Sequence, residues 1–224
     1  MELKNHKTPT KQSIPNWVDN YILKGENEIH SNLTSLNKKL LETQQAIEKN
    51  KKSVATFKNL KALFSTNGDV LESVVQLVLK GFGFEIEIPD NNRDDLIIKM
   101  DNKVGVVEVK GLGKSAAERN AAQLQKWVSN YHFENEFNPK GILIVNTFKN
   151  KFIEERTGDD FPHQMLPYAK QMKLCLITGI QLLYMYLDFQ SGELNKEEIK
   201  SLLFNTTGVL TYKSQSKDLI TKQK

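Results

Sequence analysis

The stretch RDDLIIKMDNKVGVVEVKGLGKSAAERNAAQLQKW, residues 93–127, decides how the rest of the chain is read. DLIIKM and KVGVVEVK are rich in β-branched residues and flank Asp101-Asn102, two residues that tolerate positive φ. That is the chemistry of a two-residue hairpin turn. With Met100 facing Lys103, counting outward sets Asp95 opposite Glu108. Side chains alternate along a strand, so Lys110 shares the face of Glu108. The other face carries Leu96, Ile98, Val107 and Val109, all suited to burial. One more residue in the turn would undo the alignment, because a one-residue slip flips every side chain.

Three charged groups therefore gather at one end of one face. Two carboxylates about 5 Å apart repel, and ionised carboxylates near a core are costly without a cation between them. Carboxylate and carbonyl oxygens are the ligands that hard Mg²⁺ prefers. A lysine beside them suits stabilisation of charge on a phosphate, or of a water being deprotonated. Phosphodiester hydrolysis needs that combination.

Working outward, the chain alternates strands and helices. Upstream, VLESVVQLVLKGFGF (70–84) predicts a helix stopped by Gly81 and Gly83, and FEIEIP a short strand. Downstream, SAAERNAAQLQKWVSNYHF predicts a helix, and KGILIVNTF a strand covered on both faces. LPYAKQMK predicts a short helix, LCLIT a buried strand and GIQLLYMYLDFQ a closing helix. A hairpin followed by strands separated by helices implies an α/β sandwich with a mixed sheet.

Before this region, residues 26–64 lack Pro and Gly. Leu33, Leu36, Leu40, Ile47, Val54, Phe57, Leu60 and Leu63 form one narrow apolar stripe at spacings of three, four and seven. A stripe that narrow on so long a helix favours coiled-coil pairing. Three pairings stay open: with a copy of itself, as a hairpin, or with another protein. Residues 1–13 read as a loose polar tail, and Pro15, Trp17, Tyr21 and Ile22 as a docking segment. STNGD (65–69) carries a turn and a helix start. The expected organisation is thus 1–25 tail and docking segment, 26–65 long helix, 66–190 α/β domain and 191–224 polar extension. In that extension ELNKEEIKSLLF suits a helix, and the last dozen residues read as disordered.

Composition narrows the function classes. The 224 residues are 39% hydrophobic and 26% charged, with a formal net charge of +4. A mild basic excess is compatible with a polyanionic partner. A single cysteine, Cys175, excludes an intrachain disulfide and reads as a buried structural thiol. No apolar run approaches a membrane span, and no signal-peptide pattern opens the chain, so a cytoplasmic protein is expected. KGLGKS lacks the glycine spacing of a phosphate-binding P-loop. His163 reads as an exposed loop residue.

Asp95, twelve residues of spacing, then EVK at a strand end, with helices on either side and QLQKW on the second, resembles the PD-(D/E)xK nuclease superfamily. The resemblance covers roughly residues 66–190. It implies a restriction-endonuclease-like α/β/α sandwich and metal-dependent cleavage of nucleic acid, DNA favoured, in defence or repair. The alternatives are a non-catalytic nucleic-acid- or partner-binding module and a subunit of a larger defence complex. By the resemblance, Asp95 and Glu108 would be ligands of Mg²⁺ or Mn²⁺, with the Val109 carbonyl a further ligand and Lys110 the catalytic lysine. Glu72 matches an acidic ligand used in some branches, and Gln123 a glutamine placed on the helix after the motif. The leading proline is absent, since Arg93 and Asp94 precede Asp95. Asp94 competes as the ligand, but the pleat points it away from Glu108. Lys114, Arg119 and Lys126 are candidate phosphate contacts. The long helix would bring in a second copy or a partner protein. Loss of Asp95 or Lys110 is expected to abolish cleavage without unfolding the chain.

Overall fold

The computed structural model describes residues 15–89, 95–214 and 220–222, and of Asp95 the backbone alone. The expected tail at 1–13, Arg93 and Asp94, and most of the last dozen residues lie outside that set. The chain divides into two compact units, Met1–Val54 and Ala55–Lys224.

In the first unit a 3-10 turn, Asn16–Asn20, precedes a 35-residue helix, α1, at Glu26–Leu60. Glu26 opens it by accepting a hydrogen bond from the Leu23 amide at 2.7 Å. Leu33, Leu36, Leu40, Ile47 and Val54 are all exposed, as are Trp17, Tyr21 and Ile22. The Trp17 and Tyr21 rings meet edge to face. The helix crosses into the second unit, and there the stripe changes character. Leu60 and Leu63 are buried, with Ala62, in the core of the α/β unit. They are core residues and not part of a coiled-coil seam, because their partners come from the same chain.

The second unit is built on a six-stranded mixed sheet in the order β1-β2-β3-β4-β5-β6. The strands are β1 Glu85–Glu87, β2 Asp95–Met100, β3 Lys103–Gly111, β4 Lys140–Asn146, β5 Cys175–Thr178 and β6 Gly208–Val209. β1, β2 and β3 pair antiparallel, whereas β3 to β6 run parallel. The β2–β3 register sets Met100 against Lys103 and Asp95 against Glu108, as the turn chemistry requires. Asp101 takes φ +52, the left-handed conformation that the turn demands. Its carboxylate is held at 2.7 Å by Lys200.

Among the described residues five α-helices flank the sheet: α2 Gly68–Gly81, α3 Glu118–Asn135, α4 Leu166–Gln171, α5 Gly179–Ser191 and α6 Lys196–Asn205. Strand alternation sorts the core into two layers. Leu96, Ile98, Val107, Val109 and Ile144 pack with residues of α2, α5 and α6. Val106, Leu143, Val145 and Leu176 pack with residues of α3 and α4. Within the expected polar extension, residues 196–210 contribute to this core. Ile199, Leu203 and Leu210 are buried, and β6 completes the sheet beside β5. The Leu210 amide donates to the Leu176 carbonyl at 2.7 Å. Among the described residues no helix is long and apolar enough to cross a membrane.

Candidate active site

In an open sheet with parallel strands, sites form beyond the carboxyl ends of those strands. Here β3 ends in Glu108-Val109-Lys110-Gly111 and β4 in Val145-Asn146. Glu108 pairs across β4 with Leu143, and Lys110 with Val145. Both charged residues thus lie on the α3 face. β2 begins beside them, because it runs the other way, so position Asp95 stands opposite Glu108.

Glu108 is fully buried, and its Oε1 lies 2.5 Å from the Lys110 ammonium, whose side chain is 24% exposed. A carboxylate this far from water is tenable only with a charge partner. Lys110 supplies one and keeps part of its length at the surface. Val109, between them, points its side chain into the opposite layer. The end of β3 is fixed from behind. A Cβ built on Gly111 would lie 2.3 Å from Asn67 Cβ and 2.6 Å from the Thr66 carbonyl. Only glycine lets the strand end approach the start of α2 so closely.

A second polar group braces the end of β4. Buried Asn146 donates from its amide to the Thr66 carbonyl at 2.8 Å. Arg156 donates to the Phe64 carbonyl at 2.5 Å, to the Lys151 carbonyl at 3.2 Å and to Asn146 Oδ1 at 3.4 Å. Burial lowers the Arg156 pKa, partly countered by nearby Asp160. Thr147 donates to the Asp160 carboxylate. The sequence hinted at this brace only through the polar Asn146-Thr147 pair that ends an apolar run. Arg156 gave no signal.

The other candidate residues are distributed as follows. Gln123 is half-buried on α3, beside Leu124, whose helix packs over Val106 on the Glu108 face. Glu72 is half-buried on α2, the helix that covers the opposite layer. Lys114, Arg119 and Lys126 are exposed, and the Lys126 ammonium sits 5.2 Å from the centre of the Trp127 ring. His163 is exposed in a short 3-10 turn. Cys175 is buried, and burial pushes its thiol pKa up to about 12, so it stays protonated and inert.

Among the described residues no three or more His, Cys, Asp or Glu side chains converge as a metal cluster. A cation site at the hairpin end therefore needs the Asp95 carboxylate beside Glu108. By backbone register position 95 stands opposite Glu108, and an aspartate, a glutamate and a strand-end carbonyl are oxygen donors of the kind a hard divalent ion takes.

No protein-family model matches this chain, and comparison with curated proteins gives no match. Solved structures do. A structure of restriction endonuclease FokI bound to DNA superposes with a TM-score of 0.52 at 14% identity, over 70% of this chain. Another structure of FokI gives 0.51 at 13% identity, over 68%. In both cases the match covers 30% of the FokI chain, so the region shared is under a third of that protein. At such identities the similarity establishes the fold, which is restriction-endonuclease-like, as the hairpin and its flanking helices suggest.

Proposed function

We propose that this chain, a PD-(D/E)xK-type fold with its charged strand ends intact, is a divalent-cation-dependent nuclease that hydrolyses phosphodiester bonds, DNA favoured. The observation that carries the reading is the buried Glu108–Lys110 pair, set in register with Asp95 at the carboxyl end of the parallel strands. A pair that served only stability could be replaced by apolar residues at little cost. Its position where open sheets bind ligands argues for chemistry.

Asp95, Glu108 and the Val109 carbonyl would hold Mg²⁺ or Mn²⁺. When bound, the ion would polarise the scissile phosphate and lower the pKa of a coordinated water. Glu108 is held by a central strand and not by a loop, which limits its positional freedom. Lys110 is the counter-charge beside Glu108 and would present its partly exposed ammonium to the non-bridging oxygens, where charge grows in the transition state. Gln123 offers an amide on the same face to orient the attacking water, and Glu72 is the reserve acidic ligand. Lys114, Arg119 and Lys126 would bind flanking phosphates, contacts that position without reading sequence. The exposed α1 stripe, with Leu33, Leu40, Ile47 and Val54 seven residues apart, supports assembly through that helix with a second copy or a partner.

The test is incubation with plasmid, linear and single-stranded DNA and with RNA, in Mg²⁺, Mn²⁺ or EDTA. Cleavage that needs the cation and disappears in Glu108→Gln and Lys110→Met supports the proposal. Binding without cleavage, equal in both variants, would replace it with a binding module.

A further inference from the structure

Beside the strand ends lies a cavity of about 520 Å³ that the catalytic reading leaves unused. Its floor is apolar, with Phe64, Ile153 and Ile220, and Phe152 stands at its rim. Lys61, Lys149, Lys151 and Lys222 also line it, and among the described residues Glu154 is the one acid that does. Arg156 forms part of the wall but is committed to the Phe64 and Lys151 carbonyls. A chain of contacts links the cavity to the end of β3. Lys149 reaches Asn67 Oδ1 at 3.3 Å, and Asn67 is the residue against which Gly111 packs. Gly111 follows Lys110 directly.

Phe152 is 64% exposed, so its ring is within reach of a ligand in solution. The Lys222 ammonium sits over the ring, 4.6 Å from its centre, so a base stacking on that face would take the place of this cation. Aromatic rings set in a basic groove are how proteins hold single-stranded nucleic acid, with stacking for the bases and lysines for the backbone. A base can stack on the ring only when it is unpaired or turned out of the duplex, which favours single strands.

We propose that this cavity binds an unpaired nucleotide flanking the scissile phosphate, with its base stacked on Phe152 and its phosphates held by Lys61, Lys149 and Lys151. The site makes single strands, or duplexes with a frayed or displaced strand, the preferred ligand over continuous duplex. This deepens the nuclease reading and rests on it for the identity of the ligand.

The experiment is fluorescence anisotropy in EDTA, with the full chain, a short 5′-fluorescein oligothymidylate and a duplex of the same length. Wild type is expected to bind the single strand at least tenfold more tightly. Phe152→Ala should weaken single-strand binding about 5- to 150-fold, the effect of losing one base–aromatic stack, while Phe152→Trp retains it. Duplex binding should change less than twofold in either variant. Equal affinity for the two ligands, or a Phe152→Ala variant with unaltered single-strand affinity, overturns the proposal. Cleavage measured separately in Mg²⁺ keeps the two readings apart. If nothing is cut yet Phe152→Ala loses the single strand, the nuclease reading fails and the binding site stands. If DNA is cut and Phe152→Ala changes no affinity, the binding site fails and the nuclease stands.

Discussion

Replacing Lys110 with Met removes the ammonium 2.5 Å from a carboxylate that has no solvent exposure. Breaking a buried ion pair from one side costs about 3–5 kcal/mol, because the remaining charge keeps its desolvation penalty. Lys110 is 24% exposed, so water softens the loss and the lower end, about 3 kcal/mol, is expected. For a unit the size of Ala55–Lys224, ~2–4 °C per kcal/mol translates this into a fall in Tm of about 6–12 °C. The double variant Glu108→Gln/Lys110→Met removes both members of the buried pair and should regain most of the loss. Circular dichroism melts in EDTA at neutral pH measure all three proteins. If Lys110→Met melts with wild type, or the double variant melts no higher than the single one, Lys110 is not the counter-charge of Glu108. From sequence alone, loss of this lysine is expected to spare stability. The burial of Glu108 changes that expectation, since the same pair serves stability and the proposed chemistry.

Three further outcomes follow from the geometry. Gly111→Ala forces a Cβ to within 2.6 Å of Asn67 and Thr66 backbone atoms, and overpacking of that kind costs about 1–3 kcal/mol; a chemical denaturation curve should show it, with any cleavage activity reduced too. Tyr212 donates to buried Asp188 at 2.7 Å, and burial, followed by that hydrogen bond, raises its pKa. The unfolded phenol titrates near pH ~10, so the stability Tyr212 adds is complete below that value and falls as pH rises above it; Tyr212→Phe should cost about 2 kcal/mol at neutral pH and flatten the alkaline loss of Tm. A chain lacking residues 1–54 should fold and, by light scattering, lose any assembly made through α1. Deletion of residues 1–65 should not fold, because it removes Leu60, Ala62 and Leu63 from the core, and each large core side chain is worth about 2–5 kcal/mol.

What the sequence made legible depended on how local the cause was. The hairpin register was readable because a period of two and a two-residue turn at Asp101-Asn102 leave little freedom, and Asp95 does fall opposite Glu108. Asp94, the competing ligand, lies outside the described residues. The helices and the apolar strands KGILIVN and CLIT were likewise local patterns. The brace around β4 was not legible, since Asn146 and Arg156 find their carbonyl partners 80 and 92 residues away. Nor was the division of α1. The same apolar spacing runs from Leu33 to Leu63, and only the folded chain distinguishes the exposed part from the part in the core. β6 has two residues, too few for any periodicity, so a segment that completes the sheet read as a polar extension.

The central claim is that the ends of β2 and β3 hold a divalent cation. Anomalous scattering from crystals grown with Mn²⁺ tests it most directly. The account predicts one strong peak bounded by the Asp95 and Glu108 carboxylates and the Val109 carbonyl, absent in crystals of Glu108→Gln. A map with no peak there at millimolar Mn²⁺, or with an unchanged peak in Glu108→Gln, would contradict it.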